Sequence, residues 1–109
     1  MTMTVLSVDV RFHPAHPVVH LVGELDIMSS PVLQDAIDSA LADHPAIVEL
    51  DTAELTFCDS QGLRALLLAQ RAVTGAGAVL HLTHVHGPFR RVLEITQLDK
   101  AFVIDLTPA

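Results

Sequence analysis

The chain has 109 residues, enough for one domain and not for two, and half of them are apolar, which excludes a disordered segment. Thirteen acidic residues against six basic ones give a formal charge of −7, so the cationic footprint that a nucleic-acid backbone requires is missing. With no Trp, no Tyr and four Phe, the core has to be aliphatic.

Taken in chain order, Val5–Phe12 alternates Val8, Val10 and Phe12 with Ser7, Asp9 and Arg11, the period of a half-buried strand at a sheet edge. Pro14 and Pro17 bracket a turn, and Val18–Val22 is a β-branched run that reads as a second strand ended by Gly23, so the two form a hairpin with a longish loop. Ser30-Pro31 then announces a helix, with a hydroxyl at the N-cap and proline where its missing N–H costs nothing. Leu33, Ala36, Ile37, Ala40 and Leu41 follow at helical spacing. After Pro45, Ala46–Asp51 is a short buried strand, and the segment from Thr52 to Leu63 reads as a loop. A second helix carries Leu63, Leu66, Leu67 and Val73 and stops at Gly75 and Gly77. Ala78–Leu82 is another strand, Gly87-Pro88 opens a third helix with Phe89, Val92 and Leu93, and Ala101–Leu106 closes the sheet.

Strands alternating with helices predict an α/β domain with parallel pairing and right-handed crossovers. The expected architecture is a single unit over residues 1–109, a mixed four- to five-stranded sheet with helices packed largely on one face. Several further exclusions follow. The longest uninterrupted apolar stretch, Ala65–Ala69, is far short of the ~20 residues a membrane span needs. Met1-Thr2-Met3-Thr4 has none of the pattern of a signal peptide, and the lone Cys58 forms no internal disulfide, which together point to the cytoplasm.

The informative segment is Thr52–Leu63. It follows the carboxyl end of a parallel strand, where open α/β sheets place functional groups. Asp59-Ser60 falls where the second helix begins, so unpaired amides and the positive end of the helix dipole favour an anion at Ser60. Gly62 is expected to keep the approach to that first turn open. A serine here can accept a phosphoryl group; Asp59 or Ser60 also fits as the plain N-cap, and the two readings are compatible.

Three strings, Gly23-Glu24-Leu25-Asp26, Ile47-Val48-Glu49-Leu50-Asp51 and Phe57-Cys58-Asp59-Ser60-Gln61-Gly62-Leu63, occur in that order. From Val18 to Ile104 the chain thereby resembles the STAS domain of anti-sigma factor antagonists and of the cytosolic tails of sulfate-type transporters. The last string looks like that family's aspartate–serine–any–glycine–leucine phosphorylation loop. The resemblance implies that Ser60 is phosphorylated by an anti-sigma factor that is itself a serine kinase. It implies that the unphosphorylated domain binds this kinase and frees a sigma factor, and that a phosphatase resets the switch. The implied partner-binding residues are Asp26, Asp59, Gln61, Gly62 and Leu63; Gln61 departs from the small hydroxyl residue of the best-known antagonists. No cofactor, catalytic residue or metal is implied. The alternative is a STAS binding subunit of an ABC-type lipid transport system or of a stressosome, with the same loop unphosphorylated.

Competing chemistry is weaker. Cys58-Asp59-Ser60-Gln61-Gly62 lacks the first glycine of a nucleophile elbow. His81, His84 and His86 form a His-x-x-His-x-His cluster in which His84 and His86 share a face, and a metal could bridge them, only if a strand runs through His84; otherwise they are solvated imidazoles at a strand end, as are His13 and His16 in their turn. Cys58 beside Asp59 has a raised thiol pKa and is expected to be packing filler. Arg90-Arg91 reads as a solvated face. Leu68 falls off the apolar stripe of its helix and is open to burial or to partner contact.

Overall fold

The computed structural model describes residues 6–105. Five strands and three helices follow one another as β1 (Ser7–Phe12), β2 (Pro17–Leu25), α1 (Ser30–Leu41), β3 (Ile47–Cys58), α2 (Ser60–Gly75), β4 (Val79–Thr83), α3 (Gly87–Ile95) and β5 (Val103–Asp105), with one 3-10 turn at Leu98–Lys100. The strands lie in the order β1-β2-β3-β4-β5. β1 is antiparallel to β2, and the other pairs are parallel. The outer parts of the first and last expected strands, Val5 and Leu106, lie outside the described residues.

Every crossover steps to the next strand in the same direction, the arrangement in which right-handed connections carry helices over one face; α3 packs against β3. α1 rests on β1 and β2, and α2 spans β2, β3 and β4. Between them lies an aliphatic core: Val19, Leu21, Val48, Leu50, Leu80 and Leu82 from the sheet, Leu33 and Ile37 from α1, Leu66 and Val73 from α2, and Leu93 from α3. The opposite face carries Arg11, His20, Glu49, Asp51 and Thr83.

β5 begins at Val103, two residues after the expected Ala101, and three further boundaries differ for identifiable physical reasons. β2 continues through Gly23 to Leu25, because Gly23 takes a φ of 112° that other residues avoid, and the register shifts there instead of ending. β3 continues to Cys58, which corrects the expected loop from Thr52. Its second half pairs with β2, and its buried residues Thr52, Leu55 and Cys58 recur every third position because of register shifts opposite. A search for strict alternation misses such a strand. Finally, Ser29 stands at the N-cap of α1, one residue before the expected Ser30, because its hydroxyl is held by Glu24 and Asp26 in the preceding turn and caps no helix amide; Pro31 follows as the second helical residue.

Candidate functional site

β2 and β3 end together. Leu25 pairs with Cys58, so the next residues, Asp26 and Asp59, leave the sheet side by side at its carboxyl edge. The Asp59 amide still donates to the Leu25 carbonyl at 3.4 Å, tying the two exits to each other. Asp59 is extended (φ −95°, ψ −171°) and caps α2: its Oδ1 accepts from the Gly62 amide at 2.8 Å, and its carbonyl accepts from Leu63 at 2.9 Å.

Ser60 is the first residue of α2, and it is exposed. The capping duty falls wholly on Asp59, which leaves the Ser60 hydroxyl with no hydrogen-bond partner among the described residues. The amides of Ser60 and Gln61 have no acceptor within the helix, as in any first turn, so this is where added negative charge is best tolerated. Arg64 lies one helical turn further along the same face and is exposed.

Gln61 is exposed, whereas Gly62 and Leu63 are buried. A Cβ on Gly62 would stand 2.3 Å from the Leu25 carbonyl oxygen and 2.9 Å from Cys58 Sγ. The glycine is thus required for the close approach of β2 to the helix, which corrects the expectation that it opens the way to Ser60. Leu63 belongs to the core beneath the loop. The two residues set the position of the loop from below and present almost no surface of their own.

Asp26 is half-buried and is occupied in its own turn. Its Oδ1 accepts from the Met28 amide at 3.0 Å and the Ser29 amide at 3.1 Å, and its amide donates to Ser29 Oγ at 2.8 Å. The buried Ser29 hydroxyl can reach the Glu24 carbonyl at 3.2 Å as well as Asp26. These bonds hold the β2–α1 turn rigid beside Ser60. That turn projects Ile27 and Met28, 63% and 73% exposed, and Phe57 at the end of β3 is 48% exposed. Sequence reasoning missed all three. The signal for Ile27-Met28 was present, since a turn is an odd place for two large apolar residues. Phe57 was hidden by the assignment of its segment to a loop.

Elsewhere several titratable groups are engaged. Burial, with Asp59 adding to it, pushes the Cys58 thiol up to about 12, so the expected direction holds, but burial outranks the neighbouring carboxylate as its cause. β4 ends at Thr83 and His84 takes a left-handed φ of 58°, so no strand aligns His84 with His86. His84 Nδ1 lies 2.9 Å from Asp51, and His86 Nε2 lies 2.8 Å from the Ala53 carbonyl. Both imidazoles are exposed at the strand end, as expected, and each has one polar partner. No group of three or more His, Cys, Asp or Glu side chains suited to a metal ion occurs among the described residues. His16, expected to be solvated, sits 2.8 Å from Glu49. Burial raises the Glu49 carboxyl, but the bonds from His16 and Thr83 and the His16 charge outweigh it and hold the group below the ordinary carboxylate range.

Known proteins resemble this chain in sequence and in fold. A family model described as "Mlab, STAS domain" matches residues 8–107. The anti-sigma-F factor antagonist RsfB of Mycobacterium tuberculosis is 27% identical over 97 residues, covering 89% of this chain and 79% of the relative. The anti-sigma-B factor antagonist of Bacillus subtilis is 28% identical over 102 residues, covering 94% and 91%. Among solved structures, an anti-sigma factor antagonist from Mycobacterium paratuberculosis superimposes with a TM-score of 0.79 at 29% identity, covering 94% of this chain and 86% of that one. No helix among the described residues is long and apolar enough to cross a membrane.

Proposed function

The chain belongs to the STAS-domain family, and on that footing we propose that it is an anti-sigma factor antagonist whose switch is phosphorylation of Ser60. Unphosphorylated, it binds an anti-sigma factor serine kinase and releases the sigma factor; phosphorylated by that kinase, it lets go; a phosphatase restores it. It acts in the cytoplasm as a non-enzymatic regulator, needs no cofactor because the kinase brings ATP, and contacts neither nucleic acid nor the membrane interior.

One observation carries this reading: an exposed serine whose neighbour Asp59 does the capping follows the joint end of β2 and β3, the same end from which Ile27, Met28 and Phe57 are exposed. Ile27, Met28 and Phe57 offer the desolvated centre that partner interfaces use, with Asp26, Asp59 and Gln61 around Ser60 as polar rim. Phosphorylation adds about −1.5 to −2 charge. The helix end accommodates it at a gain of ~0.3–1 kcal/mol, so the fold survives. A partner surface fitted to a neutral hydroxyl instead meets a dianion next to two carboxylates, and the loss there is several kcal/mol.

The test is incubation with ATP and the cognate kinase, followed by intact mass and site mapping. One phosphoryl group on Ser60, absent in Ser60→Ala, supports the proposal. Recovery of unmodified protein in stable association with an ABC ATPase or a stressosome supports the alternative reading. Ser60→Asp is expected to weaken kinase binding about a hundredfold by calorimetry, equivalent to ~2.7 kcal/mol, while its melting temperature stays within about 4 °C of wild type. Equal binding by wild type and Ser60→Asp refutes the switch.

A further inference from the structure

The two edges of the sheet are unequal. β5 has three residues, whereas β1 has six, and no described strand pairs with the outer side of β1. A free row of backbone N–H and C=O groups is a template for another strand.

The side chains of β1 sort cleanly by face. Its register with β2 puts Ser7, Asp9 and Arg11 beside Val22, His20 and Val18 on one face of the sheet. Val8, Val10 and Phe12 stand beside Leu21, Val19 and Pro17 on the helix-covered face. Val8 and Val10 are only partly buried against the core, and Phe12 is 60% exposed next to Ala40 and Pro45. Asp9 and Arg11 touch each other at 2.8 Å, with both side chains mostly in water.

We propose that β1 pairs antiparallel with β1 of a second copy of this chain, around a two-fold axis at Val10, to join two sheets into one. Two-fold pairing of a strand with itself is isologous, so each contact occurs twice. With the axis at Val10, each Asp9 faces Arg11 of the second copy on the first of these faces. On the helix side Val10 meets Val10, and each exposed Phe12 meets Val8. The neighbouring registers fail. An axis at Asp9 opposes two aspartates and an axis at Arg11 opposes two arginines, and like charges directly opposite are destabilising. A slip by one residue sets the apolar row against the charged row. The strand is therefore electrostatically complementary to itself in one register only. The axis also sends the two Ser60-bearing ends in opposite directions, so this interface is independent of the switch proposed above and leaves it accessible.

A contact of one six-residue strand is small, and the dimer is weak and concentration-dependent. Sedimentation of the full chain from about 10 μM to about 1 mM should show the mass rising from monomer to dimer. Asp9→Arg and Arg11→Glu each place like charges opposite one another at both contacts and should raise the dissociation constant about tenfold or more. An equimolar mixture of the two variants should associate again, because a cation then faces an anion at both positions; the double variant D9R/R11E should do so alone. Far-UV circular dichroism checks that each variant is folded, and both positions are exposed. A wild type that stays monomeric at about 1 mM overturns the proposal. So does association that is unchanged in both single variants, which would mean another surface, or a mixture that fails to recover association.

Discussion

Replacing Gly62 by alanine sets two effects of known size against each other. In an ordinary helix the change would stabilise by ~0.8–1 kcal/mol, because alanine has the higher helix propensity. Here the new methyl carbon stands 2.3 Å from the Leu25 carbonyl oxygen and 2.9 Å from Cys58 Sγ. The sulfur can shift, but the carbonyl belongs to a fully buried residue of β2 that pairs with Cys58 and accepts the Asp59 amide. Relief requires the helix to retreat from the strand. Overpacking costs ~1–3 kcal/mol, and a backbone obstacle puts this case at the upper end. The net expectation is a loss of ~1–2 kcal/mol, a fall in melting temperature of about 5–15 °C.

Gly75 is the internal control. It ends the same helix, and a Cβ there meets nothing within 4 Å, so Gly75→Ala should be neutral or stabilising. Paired thermal melts and urea titrations measure both, and Cys58→Ala combined with Gly62→Ala should recover only part of the loss, since the carbonyl remains. Gly62→Ala as stable as Gly75→Ala would refute the reasoning. The displaced first turn should also make Ser60 a poorer phosphoryl acceptor, which a kinase assay on the same sample would register.

Asp59→Ala removes the acceptor for the Gly62 amide and should cost ~1 kcal/mol in denaturant unfolding, with Asp59→Asn costing less because it still caps. Glu49 is held below the ordinary carboxylate range in the fold, so its contribution is fully present above that range and is lost as the pH falls through it. The urea midpoint should therefore drop as the pH is lowered below about 4, and Glu49→Gln should flatten that drop. Cys58, buried with its thiol near 12, should resist iodoacetamide at about pH 8 in the native state and react at the rate of unfolding when urea is added.

Much of the fold was legible because local signals pointed the same way as the tertiary outcome. Proline at the starts of α1 and α3, the glycines near the end of α2, and the aliphatic runs of β2, β3 and β4 each reflect a local preference that packing reinforced. Where tertiary pairing overrode local pattern, reading failed. Gly23 stops a strand on propensity, yet here it bends one. Leu55 and Cys58 are buried three residues apart, a spacing set by register shifts against β2 and absent from any one-strand pattern.

By itself, then, the sequence determined a small acidic α/β domain with an aliphatic core and a serine at the start of its second helix, since composition, capping and periodicity are properties of short segments. Only the tertiary structure decided what surrounds that serine. The pairing of Leu25 with Cys58, 33 residues apart, brings the turn after β2 against the helix start, buries Gly62 and Leu63, assigns the cap to Asp59 and leaves Ile27, Met28 and Phe57 in water. Those are contacts between segments distant in sequence, and they exist only once the strands have chosen their register.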